Sequence, residues 1–160
     1  METQPFRTIV VGYDGLQPAE HALDRAMSLA RAFGAKVVVA DVAVPVPVQE
    51  APGAFGYGPY HSYTAELGLR TDTELWQRHR DHIAELLDAA GITYEFTGVV
   101  GQPASEIVDV AEQAGADLIV VGTREPGLLE RLLGGSVSQG VARQARCDVL
   151  IVHPPEPEQA

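Results

Sequence analysis

Positive charge is scarce in this sequence. It holds one lysine, Lys36, and only 11 basic side chains in all against 22 acidic ones, for a net charge of −11. Such a surface repels phosphodiester backbones and anionic bilayers, so nucleic acid and membrane are set aside as partners, and small molecules and proteins remain. A single cysteine, Cys147, excludes an internal disulfide and suits a reducing compartment. No apolar run approaches the roughly 18 residues that span a bilayer. The opening METQPFRTIVVGYDG has charge and glycines where a secretory signal needs an unbroken apolar stretch, so the expectation is a cytoplasmic protein. The five histidines include no pair at the i, i+4 spacing of a helical metal site. His79 and His82, at i, i+3 beside Asp81 and Glu85, read as a solvated face. No G-x-S-x-G occurs, which removes the nucleophile elbow.

What is present is a regular alternation. Five runs rich in β-branched residues, RTIVVGYD, AKVVVADV, TYEFTGVV, DLIVVG and DVLIVH, are mostly continuous rather than alternating. That is the pattern of strands buried on both faces of a parallel sheet. Helical spacing lies between them. Over 18–33, Ala22, Leu23, Ala26, Leu29, Ala30 and Phe33 share a stripe, with Pro18 in the first turn and Gly34 past the end. A second helix is expected over about 70–90 through Leu75, Trp76, Ile83, Leu86, Leu87 and Ala90, ending at Gly91. A third starts at Pro103, with Ile107, Val110, Ala111 and Ala114 before Gly115. A fourth runs from about Ser136 to Ala145 through Val137, Val141 and Ala142. The βαβαβαβαβ order argues an α/β fold with a mainly parallel sheet.

At 160 residues the chain suits one domain, expected over 6–154, with a flexible N-terminus at 1–5 and a disordered tail at 155–160. Residues 45–63, PVPVQEAPGAFGYGPYHSY, interrupt the rhythm with prolines, glycines and aromatics. A long loop over 45–69 is expected, either plain surface or a lid or partner-binding segment.

Ligands of open parallel sheets collect beyond the carboxyl ends of the strands. A P-loop needs Lys and Ser/Thr after its second glycine, and GTREPGLL has Leu128 and Leu129 there, while the only lysine opens strand two. A P-loop is therefore excluded, and no G-x-G-x-x-G is present either. What remains is GGSVS, residues 134–138, ahead of a helix. Ser136 reads as an N-cap, or as part of an anion site made by glycine backbone and a helix N-terminus. Asp14 reads as a capping or turn residue at the start of the first helix. Cys147 reads as a small buried hydrophobe.

Together these segments resemble the universal stress protein family. VGYDG answers the family's first-strand ending Val-Asp-Gly-Ser, GADLIVVGTR its fourth strand, and GGSVSQGVARQARCDVLIVHP its last helix and strand. The resemblance covers roughly residues 6–154. It implies a single-domain, Rossmann-like α/β fold with an open parallel five-stranded sheet in the order 3-2-1-4-5 and helices on both faces. It also implies a cleft between strands one and four and a homodimer paired through the last strand.

In one branch of the family a Gly-x2-Gly-x9-Gly-Ser loop binds ATP. Carried over, Gly122 is its first glycine and Gly135 with Ser136 its closing pair. Asp14 holds the nucleoside end, and Val42 matches the position whose backbone meets adenine. The implied nucleotide contacts are Gly12, Tyr13, Asp14, Val42, Gly122, Thr123, Arg124, Gly127, Gly135, Ser136, Val137 and Ser138.

Two departures stand out. Leu16 replaces the family's serine, and Glu125 occupies the second motif glycine, where it either points to solvent or sets its charge against a triphosphate unless Arg124, Gly127 or a magnesium ion compensates. No base or magnesium-binding set for efficient hydrolysis is evident. The reading is thus a regulatory ATP-binding stress-response protein rather than an enzyme, with slow hydrolysis left open and its client protein unidentified. The alternative is a dimeric interaction module of the same fold that binds no ATP.

Overall fold

The structure, a computed structural model, describes residues 6–44, 60–123 and 136–155, of which 60–72 by backbone alone. The elements are β1 (Thr8–Tyr13), α1 (Gln17–Phe33), β2 (Lys36–Ala43), α2 (Tyr60–Ala89), β3 (Tyr94–Val100), α3 (Pro103–Ala114), β4 (Leu118–Gly122), α4 (Val137–Gln144) and β5 (Asp148–Val152). The five strands form one parallel sheet in the order β3-β2-β1-β4-β5. This is the expected fold class and strand order.

The continuous apolar runs are explained by burial on both faces. Ile9, Val10 and Val11 of β1 are fully buried, yet consecutive side chains point to opposite sides of the pleat. Ile9, Val11, Val37, Val39, Leu118 and Val120 pack with Leu23 and Ala26 of α1 and Ile83 and Leu87 of α2. Val10, Val38, Val42, Ile119 and Val121 pack on the other side with Ile107 and Val110 of α3 and Val141 of α4. Burial of one such aliphatic side chain is worth about 1.5–3 kcal/mol, so this double layer is the main source of stability.

Pro18 and Pro103 stand in the first turns of α1 and α3, while Gly34 and Gly115 close them in the left-handed conformation, as the spacing predicts. Asp117 ties the amino-terminal edge: its carboxylate accepts the backbone N–H groups of Arg7 (2.8 Å) and Thr8 (3.0 Å).

One boundary is corrected. The loop expected over 45–69 is helical from Tyr60 onward, so α2 runs 30 residues to Ala89 instead of starting near 70. No proline follows Pro59 until Pro103, and Ala65, Glu66 and Leu67 are good helix formers, so nothing in the chemistry stops the helix earlier. Residues 45–59 of that loop, the N-terminal 1–5 and the tail from 156 lie outside the described residues. Within the expected stripes, Phe33 and Leu75 are exposed rather than core, Phe33 meeting Phe6 edge-on.

Candidate functional site

The chain reverses direction across the sheet at β1, whose neighbours are β2 on one side and β4 on the other. Connections leaving the carboxyl ends of β1 and β4 therefore diverge to opposite faces and leave a crevice. A cleft of about 340 Å³ lies there. The end of β1 contributes Gly12 and Tyr13, followed by Asp14, and the end of β2 contributes Val42, followed by Val44. From β4 come Val121 and Gly122, followed by Thr123, and Ser136 with Val137 and Ser138 opens α4. Pro18 and Ala19 from the first turn of α1, and Pro103 and Ile107 from the first two turns of α3, complete the wall.

Nine of the twelve sequence-predicted contacts, Gly12, Tyr13, Asp14, Val42, Gly122, Thr123, Ser136, Val137 and Ser138, thus meet at one cleft. Arg124, Gly127 and Gly135, together with Glu125, lie outside the described residues. Sequence reasoning missed Pro18, Ala19, Val44, Pro103, Val121 and Ile107. Only Pro18 and Pro103 carried a signal, as helix starts at the rim where ligands collect.

Each polar group of the cleft has a local cause. Asp14 accepts the backbone N–H of Leu16 at 2.9 Å, an Asx turn that steers the chain into α1. The turn reading of Asp14 and its place on the cleft wall are therefore both realised. Ser136 caps α4, its hydroxyl accepting from the Gln139 N–H at 3.3 Å and lying 2.9 Å from the hydroxyl of Ser138. The buried Ser138 and the half-buried Ser136 place two hydroxyls beside the first turn of α4. The positive end of the helix dipole and its unpaired N–H groups favour an anion there. Gly122 is required by packing, because an added Cβ would run into the Pro18 carbonyl. Val44 and Val137 are about half exposed and give the mouth an apolar rim.

Behind the cleft wall sits a polar cluster that the sequence reading misplaced. His79 does not belong to a solvated face: its Nδ1 lies 2.5 Å from Oδ2 of Asp41, and its side chain is only 13% exposed. The ring meets Tyr13 edge-on with centroids 5.2 Å apart, and it lies against Gly15, whose φ of +74° already demands glycine. His82 pairs with Glu20 at 3.2 Å. The physical reason is α2's docking, which turns His79 toward the sheet, while His82, Asp81 and Glu85 stay exposed as expected.

Burial pushes the Asp41 carboxyl above its usual range, against the hydrogen bond and charge of His79 that lower it. The Tyr13 hydroxyl donates to Glu20. Burial first, and then Glu20, raise its pKa, so the phenol stays protonated. Among the described residues no group of His, Cys, Asp or Glu is arranged to hold a metal ion. Cys147 packs at the edge of the core, where burial raises its thiol pKa.

A family model described as the universal stress protein family matches residues 5–153. This chain belongs to the universal stress protein family. It is 31% identical over 153 residues to a universal stress protein of Methanocaldococcus jannaschii, covering 96% of this chain and 85% of that one. It is 34% identical over 148 residues to one of Thermus aquaticus, covering 92% and 98%. Among solved structures it resembles a universal stress protein in complex with cAMP, with a TM-score of 0.66, 32% identity, and 93% and 98% of the two chains covered. The family assignment agrees with the observed strand order.

Proposed function

We propose that this universal stress protein is a regulatory protein of the stress response that binds an adenine nucleotide in the cleft between β1 and β4. The observation that carries the reading is the convergence of Gly12, Tyr13, Asp14, Val42, Gly122, Thr123, Ser136, Val137 and Ser138 on one crevice. Base and sugar would lie on the Val42 and Asp14 side, and phosphate at the Ser136 and Ser138 hydroxyls, where α4 begins. ATP is the nucleotide that the family's glycine loop implies, with magnesium as its counterion. Glu125, at the loop's second glycine, works against three phosphates.

A nucleotide with a single phosphate group is the second reading, and two observations favour it. The described lining contains no lysine or arginine, its one formal charge being Asp14. The 32% identical relative was solved in complex with cAMP. The role proposed is nucleotide binding.

Calorimetry on emptied protein with ATP and magnesium, and with cAMP, tests this. Binding of either supports the cleft, and Ser136→Ala should weaken it about three- to tenfold by removing one hydroxyl contact. Absence of heat with all ligands, from folded protein, supports the dimeric interaction module instead.

Homodimerisation through β5 belongs to the same proposal. This strand has β4 on one side only, and Val149, Leu150 and Ile151 are half-buried in the monomer, an edge that proteins ordinarily cover. Light scattering at micromolar concentration should give twice the 17.1 kDa chain mass. A monomer would contradict it.

A further inference from the structure

Helix α2 contributes no described residue to the cleft wall, yet it touches the far side of that wall at one point. The His79 ring lies in contact with three strips of chain. Its Nδ1 is 2.5 Å from Asp41, its edge meets Tyr13, and Gly15 has no room for a Cβ beside it. Each strip carries a cleft residue: Val42 follows Asp41, Asp14 precedes Gly15, and Tyr13 itself lines the crevice. Strand alternation makes the first link direct, since Asp41 points to the α2 side of β2 while Val42 belongs to the opposite layer.

The cluster is also tied down from elsewhere. Asp41 sits opposite Tyr13 on β1 and Gly98 on β3. Gly98 leaves room for the Trp76 ring, 2.9 Å from where a Cβ would stand, and Trp76 favours the charged form of Asp41.

We propose that His79 is a positioning residue for the nucleoside end of the cleft, holding the ends of β1 and β2 in register with the start of α1 through Asp41, Tyr13 and Gly15. The role rests on the nucleotide reading of the cleft. It is distinct from that of Ser136, which serves the phosphate end. A buried carboxylate deprived of its hydrogen-bonded partner must find another or move, and movement of Asp41 carries Val42 with it.

The test separates the two ends of the ligand by titrating the full chain with adenosine and with cAMP. His79→Ala should bind both about tenfold more weakly, the affinity lost as the ends of β1 and β2 leave their places. His79→Asn, whose amide overlays Nδ1, should recover most of that loss for both ligands. Ser136→Ala should weaken cAMP and leave adenosine as in the wild type. Fluorescence of Trp76, the single tryptophan, checks that α2 remains docked. Should His79→Ala not fold, His79→Gln, whose amide overlays Nε2 instead, takes its place with the same expected loss.

A merely structural role would lower the melting temperature and leave both affinities unchanged, and that result overturns the proposal. So does a loss confined to cAMP, or an Asn variant no better than Ala. Wild-type protein that binds neither ligand overturns the reading of the cleft itself, and this role with it.

Discussion

Asp117 shows how much one side chain holds at the edge of the sheet. It precedes β4, and its carboxylate takes two backbone N–H groups from the chain entering β1, which lowers its pKa below the ordinary 3.8. A depressed carboxylate stabilises the fold fully above its unfolded pKa and loses that contribution as pH falls through the folded value. Asp117→Asn should therefore cost about 0.5–1 kcal/mol in urea unfolding at pH 7, a modest figure because solvent reaches the site. The difference from wild type should shrink as the medium is acidified toward and below pH 3.8. A difference independent of pH would mean that shape rather than charge matters there.

At the same scale, residue chemistry explains what the sequence revealed and what it hid. Ser136 and Asp14 were legible because small polar residues at turn and cap positions have few other uses. His79 was not, because its partner Asp41 is 38 residues away and lies at the end of an apolar strand. Local spacing beside Asp81 and Glu85 pointed to water, and only tertiary docking of α2 reverses that.

Among the elements, α2 is the one whose extent spacing misjudged. Its carboxyl-terminal half is anchored by Ile83 and Leu87, both fully buried in the core layer that holds Val37 and Val39. Truncating either to alanine should cost about 2–5 kcal/mol, read as a fall in the urea midpoint. A loss under about 1 kcal/mol would place the helix outside the cooperative core. The four shorter strands and helices flanking the cleft were readable nearly to the residue, since proline starts and glycine ends fix α1 and α3, and β-branched runs fix β1 and β4. The start of α2 was not readable, because aromatic and proline-rich sequence upstream of it resembles a loop and the pattern changes without a capping signal.

For the molecule as a whole, the parallel order β3-β2-β1-β4-β5 places the reversal of direction, and with it the crevice, at the carboxyl ends of β1 and β4. The strand order came from the resemblance, since periodicity gives elements but not their neighbours. The cleft's apolar contacts, Ile107 and Val121 among them, could not be told from core residues by pattern alone. The acidic surface, at −11 overall, sets the long-range field against any anion. A nucleotide must then be held by close contacts at α4 and by the apolar walls rather than by attraction at a distance.

The most direct measurement is a map of backbone amide shifts by nuclear magnetic resonance as cAMP is added to the emptied protein. The account predicts saturable shifts concentrated at Gly12–Asp14, Val42, Gly122–Thr123 and Ser136–Ser138, with β5 and the outer faces of the helices unmoved. Absence of shifts at millimolar ligand, or shifts gathered on a surface away from the ends of β1 and β4, would contradict it.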